Sequence, residues 1–167
     1  AFPSACGKTS TAMLPGQTIV GDDIAYLRVS NDKKCNAVNI ESGIFGIIAD
    51  VNPIDDALIY RCLTTPRELI FSNVLVKDGK PYWLGMGCET PESGINHSGE
   101  WFKGKKDAAG KEIPLAHKNA RYTMRLSELE NLDPRADDPN GVPISAIIYG
   151  GRDSDTNPPI LQALDWL

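Results

Sequence analysis

The chain has 167 residues, 41% of them hydrophobic, and a formal net charge of −5. That length suits one globular unit with a substantial core and falls short of a multidomain enzyme. An acidic balance argues against a nucleic-acid surface. No run approaches the roughly 18 apolar residues of a membrane span, and no charged-then-apolar leader opens the chain, so a cytoplasmic chain without membrane or nucleic-acid partners is expected.

The first element is a loop. In "FPSACGKTS", Gly7-Lys8-Thr9 is the reactive end of a P-loop pattern, in which backbone N–H groups curl around phosphate oxygens. Lysine then reaches the outer phosphates and the hydroxyl meets a metal ion. The full pattern asks for an earlier glycine where Phe2 stands, so the generic match is partial, and the tripeptide also occurs in ordinary turns before helices. A short helix over Thr9–Leu14 is expected, ended by Pro15-Gly16. Its N-terminus would favour phosphate further.

Next, Thr18, Ile19 and Val20 read as a buried strand delivering Gly21-Asp22-Asp23 at its end. In open α/β sheets ligands bind beyond the carboxyl ends of strands, so these carboxylates and the P-loop are expected in one crevice. Hard oxygen ligands suit Mg²⁺ or Mn²⁺. Taken alone, Gly-Asp-Asp reads as a turn with solvated carboxylates; beside Gly-Lys-Thr it reads as a metal site.

Further along, Ala25–Ser30 and Cys35–Ile40 across "NDKK" predict a hairpin. A second is predicted from Leu69–Val76 and Tyr82–Leu84 across Asp78-Gly79. A helix is expected over Asp55–Leu63 and a buried strand over Val142–Tyr149, with loops over Gly94–Lys111 and Asp133–Gly141. "NPPILQALDWL" reads as an amphipathic helix with Asn157 as N-cap and Ile160, Leu161, Leu164 and Leu167 on one face. The expected class is mixed, strand-rich α/β with several antiparallel hairpins.

Cys6, Cys35, Cys62 and Cys88 show neither Cys-x-x-Cys spacing nor disulfide-scaffold density, and read as thiols of a reducing compartment. Cys6 sits in the anion-binding loop, where a thiolate is stabilised, or is simply a small packing residue. His97 and His117 have no partner at metal-ligand spacing and receive no role. Arg152 follows "ISAIIYGG", where two glycines admit a ligand and a guanidinium can fork across phosphate; pairing with Asp153 or Asp155 is the alternative.

The blocks "FPSACGKTSTAMLPG", "VGDDIAYLR", "GIFG", "HKNARYT" and "GVPISAIIYGGR", in this order, resemble the GTP-dependent class of phosphoenolpyruvate carboxykinase. Phe2 in place of the earlier glycine is part of that resemblance. It implies a P-loop nucleotide-binding core of the carboxykinase fold. Residues 1–167 then form one unit of a C-terminal nucleotide-binding domain, an internal piece of a larger enzyme whose remaining chain is its partner.

Site roles follow by resemblance. Ala5, Cys6, Gly7, Lys8, Thr9, Ser10 and Arg152 would bind the GTP or GDP nucleotide, and Ser4, Asn119 and Arg121 the substrate, oxaloacetate or phosphoenolpyruvate. Lys8, Arg121 and Arg152 would be catalytic, and Thr9, Asp22 and Asp23 would meet Mn²⁺ and Mg²⁺. The family's Mn²⁺ also takes a His and a Lys that precede the P-loop. Ser10, Asp153 and "GIFGIIAD", which lacks a Pro-Gly, depart from the family pattern. Another P-loop phosphotransferase or ATPase, or a non-catalytic phosphate-binding module, are the competing readings. The isolated chain is expected to be inactive.

Overall fold

The computed structural model describes residues 1–3, 6–151 and 164–165. It is mixed α/β, with three small sheets in which every strand pair is antiparallel.

The hairpin across "NDKK" forms as expected. Strand β1 (Ala25–Val29) pairs with β2 (Cys35–Asn39) in the register Ala25↔Asn39 to Val29↔Cys35. Lys33 takes the positive φ of 62° that closes the turn. All five residues of β1 are exposed, so this hairpin adds little to the core.

The central sheet positions the site. Strand β3 (Gly43–Ile47) pairs with β9 (Arg121–Arg125), which pairs on its other side with β4 (Leu69–Ser72). Alternation sorts the faces. Ile44 and Gly46 face inward opposite Met124 and Tyr122, while Phe45 and Ile47 face outward opposite Thr123 and Arg121. The inward face joins one cluster containing Ile44, Ile48, Leu75, Trp83, Tyr122 and Met124.

Helix α1 (Lys8–Ala12) is a single turn or so; helix α2 (Ala57–Thr64) covers the core with Ile59, Cys62 and Leu63. Trp83 is wholly buried, donates its indole N–H to the Val51 carbonyl at 2.8 Å, and stacks on Phe71 at 6.3 Å.

Several expectations fail for identifiable reasons. Thr18–Val20 is no strand: Ile19 makes one isolated parallel bridge to Leu132. Asp22 and Asp23 are therefore carried by a loop and not by the end of a strand. The run 69–76 is cut by Asn73, at φ 61°, so that β4 and β5 (Leu75–Lys77) enter different sheets. Only β5 pairs with β6 (Lys80–Tyr82), across Asp78 and Gly79 at φ 50° and 73°.

The stretch 94–111 is not all loop. It carries β7 (Ser93–Asn96) and β8 (Gly99–Phe102), and this hairpin extends the β5–β6 sheet. Between 142 and 149 only β10 (Val142–Pro143) is strand, paired with β2, while Ile147, Ile148 and Tyr149 are 55%, 65% and 83% exposed. This segment instead runs beside the chain start: Gly150 N–H donates to the Ala1 carbonyl at 2.9 Å and the Ala1 amine donates to Ile148. The helix expected over 157–167 lies outside the described residues apart from Leu164 and Asp165, as do Ser4, Ala5 and Arg152. Among the described residues no helix is long and apolar enough to cross a membrane.

Candidate phosphate and cation site

The site is built on the outward face of the central sheet. A cavity of about 470 Å³ is bounded by Gly7, Lys8, Thr9 and Ser10 on one side and by Asp22, Asp23 and Glu41 on another; Phe45, Ile47 and Arg121 form its floor.

Gly7 makes the turn into α1. Its φ of 101° is open to glycine and strained for other residues, and no atom lies within 4 Å of where a Cβ would sit, so the requirement is conformational. The Gly7 carbonyl then accepts the Thr11 N–H at 2.9 Å and the Thr11 hydroxyl at 2.8 Å. This turn aims Lys8 and Thr9 at the acidic loop. Lys8 Nζ lies 2.6 Å from Asp23 Oδ1, and the Thr9 hydroxyl donates to Asp22 Oδ2 at 3.4 Å. Hydrogen bonding to Asp23 comes first among the causes that raise the Lys8 pKa, reinforced by the charges of Asp23 and Asp22.

Asp22 is the unusual member. Burial holds its carboxyl above the ordinary value, with Glu41 and Asp23 pushing the same way against the Thr9 hydrogen bond and the Lys8 charge. Its Oδ1 is buried with no hydrogen-bond partner among the described residues. A carboxylate oxygen left in that state costs about 1–3 kcal/mol.

Two participants carry no sequence expectation. Glu41 Oε2 accepts the N–H groups of both Asp23 and Ile24 at 2.9 Å and so shapes the acidic loop. It is held by an Asx turn, in which Asn39 Oδ1 accepts the Glu41 N–H at 3.0 Å, and the Asn39-x-Glu41 spacing is the signal that announces it. Phe45, within the "GIFG" block, lies under Arg121, with the guanidinium carbon 5.1 Å from the ring centroid. Arg121 also donates from Nε to Asn119 Oδ1 at 2.9 Å.

Of the sequence-selected residues, the structure brings Gly7, Lys8, Thr9, Ser10, Asp22, Asp23 and Arg121 to one cavity, with Asn119 bonded to Arg121. Cys6 is half-buried in the same loop, and none of the four cysteines is in a disulfide. No group of three or more His, Cys, Asp or Glu residues is arranged for a metal among the described residues. The set is therefore carboxylate and hydroxyl oxygens facing an ammonium and a guanidinium. Such a set can hold a polyphosphate and a hard cation together.

A family model described as the phosphoenolpyruvate carboxykinase C-terminal P-loop domain matches residues 1–167. Among curated relatives, the phosphoenolpyruvate carboxykinase (GTP) of Pyrococcus horikoshii is 58% identical over 99% of this chain and 27% of its own length. That of Saccharolobus solfataricus is 45% identical over 99% of the chain and 26% of its own length. The Chlamydia trachomatis protein of the same name is 40% identical over 99% and 28%. The chain thus spans about a quarter of the length of these relatives.

Proposed function

The chain belongs to the GTP-dependent phosphoenolpyruvate carboxykinase family, and from that premise we propose that it supplies the phosphate- and cation-binding part of an enzyme making phosphoenolpyruvate, GDP and carbon dioxide from oxaloacetate and GTP. In this reading residues 1–167 belong to the nucleotide-binding domain of a larger cytoplasmic protein. The observation that carries it is the common cavity of Lys8, Thr9, Asp22, Asp23 and Arg121.

In the reaction the bond from oxaloacetate C3 to its terminal carboxylate breaks and carbon dioxide leaves. The electron pair generates an enolate, whose oxygen takes the γ-phosphoryl group as the bond to GDP breaks. No protein nucleophile is required, and positioning with charge stabilisation is what the protein must provide. Gly7 and its loop, with Ala5, Cys6 and Ser10, cradle the nucleotide phosphates. Lys8 offsets their charge. Arg121, fixed by Phe45 and Asn119, faces the anionic substrate; by resemblance to the family, Ser4 would share that role and Arg152 would act on the transferring phosphoryl group.

The residues present fit divalent cations. The Asp22 and Asp23 carboxylates and the Thr9 hydroxyl, which bonds Asp22 Oδ2, are oxygen donors lining one cavity, which suits Mg²⁺ or Mn²⁺. Thr9 and Asp22 would hold the nucleotide's cation and Asp23 a second one. Bound there, the cations neutralise phosphate and enolate charge.

The test is GTP consumption dependent on oxaloacetate by the full-length protein, with this chain alone expected to be silent. An ATP-only response indifferent to oxaloacetate would reject the reading in favour of another P-loop phosphotransferase. Phosphate binding without turnover by the full-length protein would leave a binding module.

A further inference from the structure

Two histidines without a sequence-assigned role meet behind the substrate arginine. The ring centroids of His97, in the β7–β8 turn, and His117 lie 5.4 Å apart in an edge-to-face arrangement at 78°. His117 is tied at its backbone, donating its N–H to the Asn73 carbonyl at 3.0 Å and accepting the Ala120 N–H at 2.9 Å. Its side chain does something more specific. Nδ1 accepts the backbone N–H of Asn119 at 3.1 Å, and Asn119 Oδ1 accepts Arg121 Nε at 2.9 Å.

We propose that His117 is a positioning residue: its unprotonated Nδ1 holds Asn119, and through Asn119 the Arg121 guanidinium, in the orientation that receives the substrate's anionic group. The proposal rests on the substrate role given to Arg121 above.

The chemistry has one direction. At Nδ1 only the ring nitrogen's lone pair can accept the Asn119 N–H, so in this contact Nδ1 is the nitrogen without the proton. His97 meets the His117 ring, and Lys105 acts on His97. Burial, the neighbouring His117 and Lys105 all lower the His97 pKa, so this ring favours its neutral form. A neutral His97 adds no charge beside the Nδ1 contact. Arg121 is held from a second side by Phe45, so releasing Asn119 loosens the guanidinium without expelling it.

The test uses the full-length protein with three forms at residue 117. Leucine keeps bulk and removes the acceptor; asparagine places an amide oxygen close to where Nδ1 stood. His117→Leu is expected to raise KM for oxaloacetate and for phosphoenolpyruvate about tenfold with kcat within about twofold, the pattern of lost ground-state orientation. His117→Asn is expected to restore KM to within about threefold. The Asn119 amide proton, followed by NMR, is expected to shift in His117→Leu and to return toward its unsubstituted position in His117→Asn. A leucine variant with unchanged KM, an asparagine variant no better than leucine, or an amide signal unmoved in His117→Leu would each overturn the assignment. An unsubstituted protein that turns over neither substrate removes the parent reading instead, and the amide shifts of the variants then judge the Nδ1 contact separately.

Discussion

Lys8 Nζ sits 2.6 Å from Asp23 Oδ1, so the ammonium of the phosphate loop and a carboxylate of the acidic loop already touch across the cavity. Both side chains keep substantial water contact, at 30% and 50% exposure, and such a pair is worth less than about 1 kcal/mol. The Lys8 pKa is raised above its ordinary 10.5, so the pair's contribution is full at neutral pH and disappears only as pH climbs beyond that value. Lys8→Ala is therefore expected to shift ligand-free stability by no more than about 1 kcal/mol. Protection by a ligand is another matter. Pyrophosphate at a hundred times its Kd stabilises a folded protein by about 2.7 kcal/mol, and this protection is expected to vanish in Lys8→Ala. Thermal unfolding with and without pyrophosphate checks it; undiminished protection removes the P-loop from the account.

Asp22 makes a prediction of opposite sign. Burial raises its pKa above 3.8 in the folded state, so native protein binds a proton that unfolded chain releases. Stability contributed by Asp22 accordingly falls as pH rises from 3.8 through the folded value, and the penalty persists at neutral pH. Asp22→Asn removes that penalty. The expected result is a gain of up to about 1 kcal/mol at pH 7, together with loss of the midpoint shift produced by Mn²⁺ or Mg²⁺. A variant less stable than the parent in cation-free buffer would show that the carboxylate is satisfied.

What the sequence disclosed and what it hid divide along the range of the interactions. Gly7-Lys8-Thr9, "NDKK" and Asp78-Gly79 are local signals, and the structure places turns at all three. The helix over residues 55–63 appears as Ala57–Thr64 because its apolar spacing matches one buried face. Ser72-Asn73 divides the strand-like run 69–76, and Asn73 turns the chain there through a single positive φ of 61°, which apolar patterning does not encode. Ile147, Ile148 and Tyr149 have strand-like composition yet are exposed, since composition says that a segment can be buried and not against what. In the site, the meeting of Lys8 with Asp23 was readable from residue type. The placement of Phe45 beneath Arg121 was not, because it depends on the register Ile47↔Arg121 between strands far apart in the chain.

Trp83 anchors the approach to α2. It is fully buried, its indole N–H satisfies the Val51 carbonyl ahead of the helix, and its ring meets Tyr60 edge-on at 6.2 Å. Trp83→Phe keeps an aromatic ring and leaves that carbonyl without its indole donor. The expected loss is about 2 kcal/mol, against 3–5 kcal/mol for Trp83→Ala, which also opens a cavity. Urea unfolding with an unchanged slope measures both. No loss in Trp83→Phe would mean that the indole hydrogen bond contributes nothing.

Phe45 tests whether an exposed aromatic is there for stability or for the site. At 65% exposure it has little burial to lose, yet its ring lies 5.1 Å beneath the Arg121 guanidinium. A cation over an exposed ring gains about 0.5–1 kcal/mol from the quadrupole, which corresponds to about a twofold to fivefold change in affinity. Phe45→Tyr retains the ring face and is expected to bind substrate like the parent. Phe45→Leu retains apolar bulk and loses the face, so KM for the anionic substrate is expected to rise about twofold to fivefold while stability changes by less than about 0.5 kcal/mol. Steady-state kinetics on the full-length protein, paired with thermal unfolding, separates the cases. If leucine matches tyrosine in KM, Phe45 is only a hydrophobic floor and Arg121 is oriented by Asn119 alone.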